Sequence, residues 1–217
     1  MESKPVLWNF FRSSASWRVR TALVLKGIDY EYKPVNIHIG EQHTNEFAKL
    51  NSKQEIPVLE IDGYTLTQSI PIIEYIDETR PQEPRLFPQD PFKRAKSRAI
   101  AEIINSGIHP FQKALKRVAK DIGEDKKNEL LTDYFRSGFK AIEEILIETS
   151  GKYCVGDEVT IADLCLVPIV YSAFNNKFDL SNFSNVLRVN SELEKLPAFQ
   201  KSHAHSQIDT YPELKEN

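Results

Sequence analysis

Residues 4–35 read KPVLWNFFRSSASWRVRTALVLKGIDYEYKPV, and the architecture is decided in this stretch. Lys4 to Phe10 carries the apolar run PVLWNFF and predicts a buried strand. The serines of SSASW then open a helix that runs to about Lys26, with Val19 and Leu23 on one face and Gly27 ending it. Tyr30 to Val35 predicts a second strand, and Asn45 to Leu50 a short helix. IPVLEID, Gly63 and YTLTQ form a hairpin pattern with its turn at Asp62-Gly63. A further helix has Pro71 in its first turn and Ile72, Ile73 and Ile76 on one face, and ends before Pro81. The order βαβ, helix, ββα describes a small α/β unit with a mixed sheet.

The next segment, PQEPRLFPQDP from Pro81 to Pro91, holds four prolines in eleven residues. Proline removes a backbone donor and biases the preceding residue away from helix, so this is a linker. Beyond it the period is helical: Phe92 to Lys120, Glu124 to Thr149, Thr160 to Asn175 and Ser184 to Leu196 are amphipathic candidates. In VTIADL, Thr160 and Asp163 have the spacing of a capping box, with Val159 and Leu164 as the hydrophobic staple. Asp163 is therefore read as a folding device and not as a catalytic carboxylate. The expected organisation is an α/β domain over 1–84, a linker over 85–90, and an all-α helical bundle over 91–217.

Composition narrows the function. Hydrophobic residues make up 41% of the 217, enough for a sizeable core, and charged residues 27% with a net charge of −3. That near balance gives no electrostatic reason for nucleic acid or an anionic membrane as partner. No apolar run approaches the roughly 18 residues of a membrane span. MESKPVLWNFFRSS lacks the basic, apolar and small-residue regions of a secretory signal. Two cysteines, Cys154 and Cys165, with scattered histidines are too few for a disulfide scaffold or a zinc cluster. A cytoplasmic protein with reduced thiols and no metal is expected.

The chemistry concentrates at RSSASWRVR. Three hydroxyls cluster where a strand gives way to a helix, and a helix N-terminus presents unpaired N–H groups and partial positive charge. Arg12 and Arg18 add full charges nearby. Such an opening serves equally as a plain serine cap or as an anion or thiolate site.

SSASWRVRTALVLKGIDYEY resembles the signature of the zeta-class glutathione transferases, the maleylacetoacetate isomerases, usually written SSCSWRVRIALALKGIDYE. The likeness continues through EIPVLEIDGYTLTQSIPIIEYIDETRP, RLFPQDP, GKYCVGDEVTIADLCLVP and KLPAFQKSH, in one order and over nearly the whole chain. The resemblance implies a thioredoxin-like N-terminal domain with a four-stranded mixed sheet, a helical electrophile-binding domain, and a homodimer. It implies glutathione as cofactor and a small, acidic electrophile as substrate. The bound thiolate adds to a conjugated cis double bond and is eliminated after rotation, in tyrosine and phenylalanine breakdown, and the same sulfur displaces halide from α-halo acids. Residue by residue, it implies that the Ser14 hydroxyl faces the glutathione sulfur as the catalytic group, with Ser13, Ala15 and Ser16 around it. Ile56, before a cis Pro57, pairs with the cysteinyl part through its backbone. Gln68 and Ser69 hold the γ-glutamyl carboxylate, and Gln42 and His109 complete the tripeptide site.

Three departures from the family pattern bear on substrate. Ala15 stands where the signature has a cysteine, so no second thiol lies between the serines. IHPFQK replaces IQPLQN, putting His109 for a glutamine and Lys113 for an asparagine. Asn175 stands where the family has an arginine that holds the substrate carboxylate, and loss of a bidentate cation weakens recognition of a dianion. Arg12, Lys113 and Asn175 are the candidate substrate contacts. Two alternatives stay open: a diverged general transferase without an isomerase role, and a non-catalytic protein that binds glutathione or apolar ligands.

Overall fold

The computed structural model describes residues 4–214; Met1 to Ser3 of the stretch read as non-secretory, and the last three residues of the expected helical domain, lie outside them. The chain forms two compact units. One runs up to Leu86 and takes in the chain from Leu196 onward, and the other spans Phe87–Lys195. The helical domain expected over 91–217 therefore ends, in packing terms, at Lys195. Its last stretch folds onto the α/β unit because Ser202 and Asp209 find their hydrogen-bond partners there.

In the first unit, β1 (Val6–Asn9), β2 (Glu31–Pro34), β3 (Val58–Ile61) and β4 (Tyr64–Thr67) form a sheet in the order β2-β1-β3-β4. β1 and β2 run parallel, while β3 is antiparallel to both β1 and β4. The β3–β4 turn places Asp62 at φ 54° and Gly63 at φ 80°. Two consecutive left-handed residues are what a two-residue hairpin of this twist requires, and Asp–Gly supplies them. Leu7, Val58, Leu59 and Ile61 are buried in the sheet, and α1 (Ser14–Leu25) and α3 (Ser69–Thr79) contribute Val19, Leu23, Ile72, Ile73 and Ile76 to the core. At its far end α1 is tied to α3 by a buried ion pair, Lys26 Nζ to Asp77 Oδ1 at 2.8 Å. Lys26 also donates to Gln82 O at 2.7 Å, and Leu86 N–H to Asp77 Oδ1 at 2.9 Å, so every charge there is hydrogen-bonded.

The second unit is helical: α4 (Pro91–Glu102), α5 (His109–Ile122), α6 (Glu124–Thr149), α7 (Ile161–Asn175) and α8 (Ser184–Glu194), with α2 (Asn45–Leu50) and α9 (Pro197–Ser202) belonging to the first. The single helix expected over Phe92 to Lys120 is corrected: a π-helical turn, Ile103–Ile108, separates α4 from α5. Pro110 explains the break, since it has no N–H to continue the ladder and its ring would clash with the Ser106 carbonyl one turn back. The turn packs tightly on α6 at Gly138, where an added Cβ would lie 2.3 Å from Ile108 Cδ1. At the start of α7, Asp163 Oδ2 accepts from Thr160 N–H (2.7 Å) and from the Thr160 hydroxyl (3.0 Å), and Oδ1 accepts from Cys154 N–H (2.9 Å). Burial pushes the Asp163 carboxyl above its usual range, and the hydrogen bonds oppose that. Asp163 is fully buried and acts as a structural cap.

Candidate active site

Sheet register assembles the site. Trp8 of β1 pairs with Val58, which pairs with Thr67, while Asn9 pairs with Pro34. One end of the sheet therefore gathers the exits of β1, β2 and β4 and the entry to β3. Ser13 and Ser14, Gln42, Ile56, Gln68 and Ser69, scattered over more than fifty positions, come from those four connections. The Ile56–Pro57 peptide is cis.

Each residue has its own environment. Ser13 caps α1: its Oγ accepts from Ser16 N–H at 3.2 Å. Ser14 is the first helical residue, half-buried, and its hydroxyl has no hydrogen-bond partner among the described residues. The first turn of α1 contains no carboxylate, so nothing on the helix competes for the positive end of its dipole. Ala15 follows, half-buried. Ser16, expected to support the site, is 0% exposed, and its Oγ meets no partner among the described residues. Helical spacing puts Arg18 one turn after Ser14, where its Nη1 donates to Ser69 Oγ at 3.3 Å. That bond couples the starts of α1 and α3 and leaves the Ser69 hydroxyl proton free to donate elsewhere.

Gln68 precedes α3 with φ 68° and ψ 122°, a conformation that costs a residue with a side chain about 1–3 kcal/mol and persists where the surroundings impose it. No side chain among the described residues caps α3, so its first N–H groups and the Ser69 hydroxyl are donors of the kind an anion can use. Gln42 sits in a short turn, Glu41–His43, and is held by a relay: its Nε2 lies 2.9 Å from His43 Nε2, and His43 Nδ1 lies 2.8 Å from Gln54 Oε1. Its Oε1 is buried without a partner, an acceptor waiting for a donor. Arg12 is exposed at the mouth of the loop.

In the second unit, half-buried His109 opens α5 and exposed Lys113 stands one turn on. Ser172 donates to Gln112 Oε1 at 2.8 Å, joining the first turn of α5 to the end of α7, where Asn175 is exposed. Lys113 and Asn175 are thus brought onto neighbouring helix ends. Gln112 escaped the reading of the sequence, although it is the second glutamine of the IQPLQN pattern. Its Nε2 is buried with no partner, a donor with no protein acceptor. No group of three or more His, Cys, Asp or Glu side chains among the described residues is placed to hold a metal ion. Nor is any helix there long and apolar enough to cross a membrane.

Comparison with known proteins identifies the family and the fold. Residues 4–78 match the model for the glutathione S-transferase N-terminal domain, and residues 108–216 that for the C-terminal domain. Mouse maleylacetoacetate isomerase is 50% identical over 214 residues, covering 98% of each chain. A holo structure of maleyl pyruvate isomerase, a bacterial zeta-class enzyme, superposes with a TM-score of 0.90 at 35% identity, over 95% of this chain and all of that one. Maleylacetoacetate isomerase from Anaeromyxobacter dehalogenans, with dicarboxyethyl glutathione and citrate in its active site, has a TM-score of 0.87 at 35% identity, covering 98% of this chain and 100% of that one.

Proposed function

The chain belongs to the glutathione S-transferase family, among the zeta-class maleylacetoacetate isomerases, and on that premise we propose that it isomerises a small cis-unsaturated diketo acid of the maleylacetoacetate type with the Ser14 hydroxyl as its catalytic group. The observation that carries this reading is Ser14 itself: a hydroxyl without a hydrogen-bond partner among the described residues, at the first turn of α1, which holds no carboxylate. Glutathione is the cofactor, and when bound it supplies a thiolate that adds to the conjugated double bond and leaves again after rotation about the resulting single bond.

The donor set fits that tripeptide. The open proton on Ser69 and the uncapped start of α3 suit the γ-glutamyl carboxylate. The backbone of Ile56 faces the same end of the sheet, and Gln42 Oε1 offers an acceptor that no protein group uses. The Ser14 hydroxyl, keeping its proton, would donate a hydrogen bond to the sulfur, which favours the ionised form, and the amides of the first turn of α1 would act in the same direction. Within the second unit, His109, Gln112 and Lys113 lie together at the start of α5, and the charge of Lys113 would suit an acidic substrate.

Asn175 sets the substrate range in this reading. An amide offers a carboxylate one short dipole where a guanidinium offers a charged fork. A glutathione-dependent assay over maleyl diketones, small α-halo acids and neutral electrophiles, run beside Asn175→Arg, tests it. The expected result is glutathione-dependent cis–trans isomerisation by the native protein, and a rise of about tenfold in kcat/KM on dicarboxylates in Asn175→Arg with neutral electrophiles unchanged. If the native protein conjugates neutral electrophiles but leaves every maleyl compound untouched, the alternative of a diverged general transferase takes over. A homodimer and a cytoplasmic location belong to the same proposal, and sedimentation equilibrium checks the first.

A further inference from the structure

β1 stops pairing at Asn9, yet the chain stays buried for two more residues: Phe10 is 2% and Phe11 0% exposed. Their backbone groups have left the sheet ladder and still need partners away from water. Side chains from elsewhere provide them. Arg20, fully buried in α1, donates from Nη1 to Asn9 Oδ1 (3.0 Å) and Phe10 O (3.2 Å), from Nη2 to Phe11 O (2.9 Å), and from Nε to Ser202 O (3.2 Å). Asp209, near the end of the chain, accepts the Phe11 N–H at Oδ2 (3.1 Å) and the Tyr32 hydroxyl at Oδ1 (2.5 Å). Burial pushes the Tyr32 phenol upward, so it remains an O–H donor. The Phe11 ring meets Tyr211 edge-on at 5.1 Å, and Tyr211 Oη lies 3.0 Å from His38 Nδ1.

Phe11 is thus held at its N–H, its carbonyl and its ring, and two of the three holds come from the last turn of the chain. Three residues later stands Ser14, and Ser13 N–H donates back to Phe10 O at 3.0 Å, so the two ends of that loop are tied together. We propose that Asp209 is a positioning residue for the glutathione chemistry: through Phe11 it sets the strand-to-helix loop that aims the Ser14 hydroxyl. The inference rests on the assignment of Ser14 as the thiolate donor. Its chemical requirement is a side chain that bonds both the Phe11 N–H and the Tyr32 oxygen. A carboxylate accepts both bonds, and an amide can keep both if its oxygen takes the Phe11 N–H and its NH2 donates to the Tyr32 oxygen. A methyl group keeps neither.

The test compares Asp209→Ala, Asp209→Asn and Tyr32→Phe, with Ser14→Ala in parallel. Amide exchange over residues 10–16 in the ligand-free protein reports the hold on the loop, calorimetry reports glutathione affinity, and steady-state kinetics separate kcat from KM. For Asp209→Ala the expected result is a Phe11 amide exchanging at least about tenfold faster, kcat down about tenfold and glutathione affinity within about twofold, since a small misplacement of a reacting group costs turnover before binding. Asp209→Asn restores kcat to within about twofold, and Tyr32→Phe, which keeps the Phe11 bond, falls between them. Unchanged kcat in Asp209→Ala with a freely exchanging Phe11 amide overturns the proposal. So does a loss that Asp209→Asn fails to rescue, or one matched by an equal fall in the fraction of molecules that bind glutathione. If Ser14→Ala keeps full turnover, the assignment of Ser14 fails on its own, while the exchange data still decide whether Asp209 holds the loop.

Discussion

Ser14→Ala is expected to lower turnover at pH 7 by between about tenfold and a hundredfold while glutathione affinity changes by less than about threefold. A free thiol of pKa about 8.5 is about 3% ionised at pH 7, and lowering that pKa by about two units raises the ionised fraction roughly 25-fold. A less basic thiolate is also a weaker nucleophile, and a Brønsted slope of about 0.45 returns a factor of roughly eight. Ionisation by itself is therefore worth only about threefold in rate at pH 7. The rest of the expected loss comes from position: a hydroxyl fixed on the first turn of a helix holds the sulfur in one place for attack. Affinity is expected to survive because the contacts proposed for Ser69 and for the Ile56 backbone do not involve Ser14. The deficit should narrow as the pH rises toward the thiol's own pKa, where ionisation no longer needs help. Full turnover at neutral pH would remove Ser14 from its role, and a deficit as large at pH 9 as at pH 7 would remove its part in ionising the sulfur.

The second large effect is on stability. Lys26 and Asp77 are 0% and 1% exposed, and the pair joins the end of α1 to α3. Removal of one partner leaves a buried charge uncompensated, which costs about 3–5 kcal/mol, whereas replacement of both by apolar groups of similar size is near neutral. Asp77→Ala should therefore lower the urea midpoint strongly, and Lys26→Met combined with Asp77→Leu should recover part of it, since the buried Leu86 N–H still lacks its acceptor. Because the chain has two compact units, the transition is best followed by amide exchange within the first unit as well as by circular dichroism. A loss below about 1 kcal/mol in Asp77→Ala would mean that water reaches Lys26 once the carboxylate is gone. Glutathione affinity should fall with it, since α3 carries Ser69 at its other end.

The contrast between those two sites reflects how each was legible. Ser14 stands in a local pattern: hydroxyls after an apolar run and before a helical period mark a helix start wherever they occur. Lys26 and Asp77 are about fifty positions apart, and each reads as an ordinary surface charge near a helix end. Nothing in their neighbourhoods announces the pair, because burial is a property of what packs over them.

The same division holds for the molecule as a whole. Short-range physics let the sequence determine the strands, the Asp62–Gly63 turn, the cap of Asp163 on α7 and the helical second half, while the family and its cofactor came from the resemblance of an ordered set of motifs. Local chemistry also predicts the break at Pro110, although the periodicity of Phe92 to Lys120 hid it. Only the tertiary structure decided that the last stretch of the chain, from Leu196, packs with the first unit, that Ser16 is fully buried, and that Gln112 Nε2 meets no acceptor among the described residues. Likewise it alone put Arg20 and Asp209 on the backbone of Phe10 and Phe11. These are matters of which buried polar group finds which partner across nearly two hundred residues, and such pairings are set by the closing of the fold, since no residue's own neighbours in the chain require them.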